Sequence, residues 1–200
     1  MSPEKDFECV GEYSPQYKEF PCCSFQNAVE QITDDIQDVN RFILLDIDGV
    51  LLSNLDKLPA VATLRKSQID DLDQAYMMYL KEIYNKKLAI VTDRNPKLNL
   101  FLSSRYIIKK VKEINIPSED PIPIFHSLNK QFCSSMKQGK DTLVNYIFNQ
   151  LGGREMITLT SIEDNTFTVP NREIFPQYIA KELYRKHGIK CNIENYVVRR

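Results

Sequence analysis

Arg41-Phe42-Ile43-Leu44-Leu45-Asp46-Ile47-Asp48-Gly49-Val50 is the stretch on which the fold assignment depends. The unbroken apolar run from Phe42 to Leu45 is what a strand buried on both faces of a parallel sheet requires. It ends in two carboxylates, Asp46 and Asp48, spaced so that both can reach one crevice as the chain leaves the extended segment. Their mutual repulsion favours a site that also supplies a cation, and Gly49 lets the backbone turn sharply there. A solvated, Asp-rich turn would use the same residues, so the stretch must be weighed with its surroundings.

Those surroundings alternate between strands and helices. On the N-terminal side, Ala28, Ile32, Ile36 and Val39 recur at helical steps from Asn27 onward. Residues 1–25, interrupted by Pro3, Pro15 and Pro21, read as an irregular arm, and residues 26–200 as a single domain. On the C-terminal side, Ser67 is placed to cap a helix whose Ile69, Leu72, Tyr76, Leu80 and Ile83 share a face. Leu88 to Val91 is a second strand-like run, and Asn95-Pro96 opens a helix carrying Leu98, Phe101, Leu102, Ile108 and Val111. Ile122 to Phe125, broken by Pro123, suits a strand near an edge. A helix with Leu143, Val144, Ile147, Phe148 and Leu151 ends at Gly152-Gly153. Met156 to Ile162 follows as a strand, Tyr178, Ile179 and Leu183 as a helix ending at Gly188, and Cys191 to Val198 as a last strand. Such alternation predicts an α/β fold with a mainly parallel sheet and right-handed crossovers, in which chemistry gathers beyond the carboxyl ends of the strands.

Composition narrows the function classes. In 200 residues, 26 basic against 27 acidic side chains leave a net charge of −1 and a pI near 6.2. That balance disfavours nucleic-acid binding through bulk positive field and disfavours a polybasic membrane anchor. No apolar run approaches the ~20 residues of a membrane helix, and Met1 to Asp6 leads into no signal-peptide core. Cys9, Cys22, Cys23, Cys133 and Cys191 follow no disulfide or zinc spacing with His126 and His187. The expectation is a soluble, cytoplasmic protein in a reducing compartment.

The other strand ends also carry polar groups. Leu88 to Val91 runs into Thr92-Asp93, a hydroxyl and amides suited to phosphate oxygens or merely to a turn. Met156 to Ile162 runs into Glu163-Asp164-Asn165, and Lys140 follows Gly139 at a helix start. In this order, the segments Leu44 to Val50, Ile90 to Asp93, Lys140 and Ile162 to Asn165 resemble the motifs of the haloacid dehalogenase-like superfamily. The resemblance covers roughly Arg41 to Asn165 and implies a three-layer α/β/α Rossmann-like fold.

It also implies a phosphomonoester hydrolase. Asp46 would be the nucleophile that forms an aspartyl-phosphate, and Asp48 the acid that protonates the leaving oxygen and later activates water. Thr92, the Asp93 amide and Lys140 would hold the phosphate, with Lys137 a rival for Lys140. The crowding of Asp46, Asp48, Glu163 and Asp164 calls for Mg²⁺. Its ligands by resemblance are the Asp46 carboxylate, the Asp48 carbonyl and Asp164, with Glu163 the second choice.

Between Gly49 and Ser67 there is room for a short flap, Leu51 to Lys66, and no large cap domain fits there or between Thr92 and Lys140. Capless members of the superfamily tend to act on macromolecules, and some are bacterial effectors that dephosphorylate phosphotyrosine. The resemblance thus implies a phosphoprotein substrate and allows delivery into a host cell. A small-molecule phosphatase, lidded by the flap or by a partner, and a catalytically silent binding module are the alternatives. Oligomeric state is left open.

Overall fold

The structure is a computed structural model and describes residues 13–34, 38–51, 71–93, 108–109, 111–113, 120–126, 128, 130, 137–164 and 174–199. In chain order the elements are β1 (Gln16–Cys22), α1 (Phe25–Thr33), β2 (Arg41–Asp46), α2 (Asp71–Tyr84), β3 (Leu88–Val91), β4 (Ile124–Phe125), α3 (Lys137–Leu151), β5 (Met156–Glu163), α4 (Phe175–His187) and β6 (Lys190–Val198). Ile108 and Val111, both in helical conformation before β4, are buried.

Among the described residues the strands form one sheet, every pair parallel, in the order β1-β6-β5-β2-β3-β4. Alternate residues of β2 point to opposite faces, as the two-residue period of a strand demands. Ile43 and Leu45 join α1 and α2 in one apolar cluster, whereas Phe42 and Leu44 join α3 and α4 in the other. Helices therefore cover both faces, and all six residues of β2 are buried. Each fully buried aliphatic side chain of this kind contributes about 1.5–3 kcal/mol.

From β2 the chain moves outward through β3 to β4, while β5 and β6 build on the other side of β2. The direction of winding thus reverses between β2 and β5, which opens a crevice at their carboxyl ends. Register brings the relevant ends level, with Leu45 opposite Ile162 and Asp46 opposite Val91.

Several sequence expectations need correction. Residues 16–22 are not an irregular arm but the strand β1, paired with β6 from Gln16↔Asn192 to Cys22↔Val198. Its alternation is blurred because it is a half-solvated edge strand, and an edge tolerates Pro21. The first helix starts at Phe25, with the Ser24 hydroxyl accepting the Asn27 N–H at 3.0 Å. It ends at Thr33, so Val39 lies beyond it and is 65% exposed. The helix α3 begins at Lys137, so Lys140 does lie at a helix start, in the first turn. Ser67, Ile69, Asn95, Pro96, Ile36 and the flap from 52 to 66 lie outside the described residues. No described helix is long and apolar enough to cross a membrane, and Cys22, Cys23 and Cys191 are free thiols.

Candidate active site

Asp46 is the last residue of β2 and only 5% exposed. Its Oδ1 accepts the Ile47 N–H at 2.7 Å, which fixes the carboxylate against the turn that follows. That turn closes with the Leu51 N–H on the Ile47 carbonyl at 3.0 Å. Gly49 within it has φ of 71°, a left-handed conformation that favours glycine. A Cβ there would fall inside the Asp164 carboxylate, so the turn after β2 and the end of β5 pack directly on each other.

The other oxygen of Asp46, Oδ2, pairs with the ammonium of Lys130. Lys130 lies between β4 and α3 and is tied to the end of β3. Its backbone N–H donates to Asp93 Oδ1 at 2.6 Å, and the Leu128 N–H donates to the Thr92 carbonyl at 3.3 Å. Thr92 is fully buried, and its own N–H is taken by the Phe125 carbonyl at 2.9 Å. The backbone amide of Thr92 is therefore committed to the sheet edge.

Lys140, the lysine expected at the phosphate, is fully buried, with its Nζ 5.2 Å from the centre of the Tyr178 ring on α4. A lysine that the sequence did not mark, Lys130, is the one paired with Asp46. Lys137 starts α3, and its side chain lies outside the described residues.

Burial pushes the Asp46 carboxyl up to about 7; Lys130 pulls it down, and Glu163 and Asp48 push it further up. Burial also raises Glu163, with Lys130 opposing and Asp164 and Asp93 reinforcing. For Lys130, burial disfavours the charged form, but Asp46 and then Glu163 outweigh it and hold the ammonium above its ordinary value. Asp46, Glu163 and Lys130 are thus near enough to act on one another, and Asp48, Asp93 and Asp164 each act on one or more of them. In comparisons with known proteins, no family model, no curated protein and no solved structure matches this chain.

Among the described residues, no three His, Cys, Asp or Glu side chains come together as a ready metal-ligating group. The donors present nevertheless fit Mg²⁺, which needs only one or two carboxylates and fills its octahedron with water and substrate oxygens. Glu163 is 8% exposed, its Oε1 is buried with no hydrogen-bond partner, and its charge acts on Asp46. A buried carboxylate oxygen without a partner carries an uncompensated desolvation cost that a hard cation would offset. Asp164, held beside Gly49, is the other acid that the end of β5 offers.

Lys130 escaped the sequence reading because nothing in its spacing marks it. It lies between β4 and α3, and only the structure shows that this residue returns to the end of β2. The usable signal was positional: the loop follows β4 at its carboxyl end, where the other strands also deliver their polar residues.

Proposed function

We propose that this chain is a Mg²⁺-dependent phosphomonoester hydrolase of the haloacid dehalogenase-like kind, acting through an aspartyl-phosphate on a phosphoprotein, with phosphotyrosine the expected ester. The observation that carries the reading is the Asp46–Lys130 pair, with Asp48 and the unpartnered Glu163 Oε1 beside it, where the winding of the sheet reverses. A phosphate dianion resists anionic attack, so catalysis has to come from positioning and charge neutralisation.

In the first displacement, Asp46 attacks phosphorus while the bond to the ester oxygen breaks. Asp48 gives its proton to that oxygen, and the alcohol or phenol leaves. In the second, Asp48 takes a proton from water, which attacks phosphorus, and the phosphoryl group departs from Asp46 as inorganic phosphate. Lys130 offsets part of the negative charge throughout, and Thr92 and the Asp93 amide border the space for the phosphoryl oxygens. Asp46, the Asp48 carbonyl and an acid of β5, Asp164 or Glu163, would hold Mg²⁺, which supplies the further positive charge that lets an anionic nucleophile meet an anionic ester.

The direct test is turnover of p-nitrophenyl phosphate, with and without EDTA, by the wild type and Asp46→Asn. We expect Mg²⁺-dependent hydrolysis that falls on the order of 10³-fold or more in the variant. Metal-independent turnover, or retained activity in Asp46→Asn, would contradict the mechanism. A panel of phosphotyrosine peptides, phosphoserine peptides and sugar or nucleotide phosphates then fixes the substrate class. Strong preference for a small metabolite would replace the phosphoprotein reading, and inertness to all of them would favour the silent module.

A further inference from the structure

Lys130 stands on a loop, and a lysine side chain has four rotatable carbons between its backbone and its charge. Something must hold the backbone of residue 130 if its ammonium is to stay on Asp46. Among the described residues, three hydrogen bonds fasten this segment to the end of β3. The Phe125 carbonyl accepts the Thr92 N–H, the Thr92 carbonyl accepts the Leu128 N–H, and Asp93 Oδ1 accepts the Lys130 N–H. The first two are backbone pairs that any residue could supply. The third requires an acceptor in the side chain at position 93. It is the shortest of the three at 2.6 Å.

We propose that the Asp93 side chain is a positioning residue that seats Lys130 on Asp46, a role that rests on the phosphatase reading above. It is separate from the phosphate-holding role expected of the Asp93 backbone amide. Asp93 is exposed, and its bond is made to residue 130 itself, whereas the two backbone pairs beside it fasten residues 92 and 128. Its carboxylate also belongs to the electrostatic surroundings of Lys130 and Glu163. Its effect on catalysis therefore runs through another residue, and a misplacement of ~1 Å in such an arrangement can cost about 10²-fold in rate.

The role makes two demands that a purely structural or purely electrostatic one does not. The acceptor should matter more than the charge, so Asp93→Asn, which keeps an oxygen for the Lys130 N–H, should rescue most of what Asp93→Ala loses. And the loss should vanish when Lys130 is already gone, because residues that act as a unit are not additive.

Both are measured on the full chain. By NMR, the Lys130 amide should exchange slowly in the wild type and in Asp93→Asn, and roughly tenfold faster or more in Asp93→Ala, as loss of one such bond predicts. With p-nitrophenyl phosphate and Mg²⁺, Asp93→Ala should lower kcat about 10- to 100-fold with little change in KM. The double variant Asp93→Ala/Lys130→Ala should be no slower than Lys130→Ala. Equal amide exchange in the wild type and Asp93→Ala would overturn the proposal. So would an Asp93→Asn as slow as Asp93→Ala, or effects that multiply in the double variant. If the wild type hydrolyses no phosphoester, the phosphatase reading fails on its own, while amide exchange still decides whether Asp93 holds Lys130.

Discussion

Replacing Asp46 with asparagine should destroy activity and yet make the metal-free protein more stable. The carboxyl is buried, and its pKa lies near 7 in the folded chain against 3.8 for an ordinary aspartate. A folded-state pKa that is raised means that the unfolded chain gives up its proton first as pH rises. Stability is therefore undiminished by this group below pH ~4, falls between about 4 and 7, and is lower by about 4 kcal/mol from there upward. Asparagine has the size of the protonated carboxyl and never ionises, so it avoids the penalty. It also leaves Lys130 facing a neutral amide, which returns part of the gain, and a net of roughly 2–4 kcal/mol at pH 7–8 is expected. Urea melts in EDTA would show this as a midpoint shift of roughly 1–2 M for Asp46→Asn, shrinking toward zero near pH 4. Added Mg²⁺ should stabilise the wild type and narrow the gap, since a ligand of the folded state shifts the equilibrium by mass action. An Asp46→Asn protein no more stable than the wild type at pH 7–8 in EDTA would refute the reasoning, as would a difference that does not change with pH.

Gly49→Ala should lose roughly 1–2 kcal/mol from its left-handed backbone alone, and more because the new methyl displaces the Asp164 carboxylate; unchanged urea stability would mean that the turn and β5 are not packed as described. Lys130→Met should depress kcat far more than Lys140→Met, whereas Lys140→Met should chiefly weaken the packing of α3 on α4 by about 0.5–2 kcal/mol; the reverse ranking in paired activity and melting assays would return the phosphate to Lys140. Because Asp46 titrates near 7, Mg²⁺ binding below that pH should release a proton, detectable by calorimetry in buffers of different ionisation enthalpy; binding heats that do not depend on the buffer would contradict it.

How much of this was legible in the sequence depended on how completely each segment is enclosed. The fully buried strands β2 and β3 declare themselves as unbroken apolar runs, because neither face meets water. The carboxylates that follow β2 and β5 could be placed beyond the sheet for the same reason. The edge strand β1 could not: with one side solvated, Gln16–Cys22 mixes Lys18 and Glu19 with Phe20 and shows no clean period. Val39 carries apolar character in the right helical phase, yet the helix has ended before it. Lys130 was not legible because a lysine is equally at home on a surface, over an aromatic ring or on a carboxylate.

The strand β1 has a consequence for how the molecule is assembled. Its sheet partner is β6, and the Arg199 N–H closes the pair on the Cys22 carbonyl at 2.8 Å. During synthesis residues 16–22 must wait, unpaired, until residues 190–198 have been made and laid beside β5. Contacts so distant along the chain slow folding, and a ribosome-bound intermediate would expose the edge of β5 together with the waiting segment. Shortening the chain from its C-terminal side should therefore release β1 along with β6, two strands at the same end of the sheet.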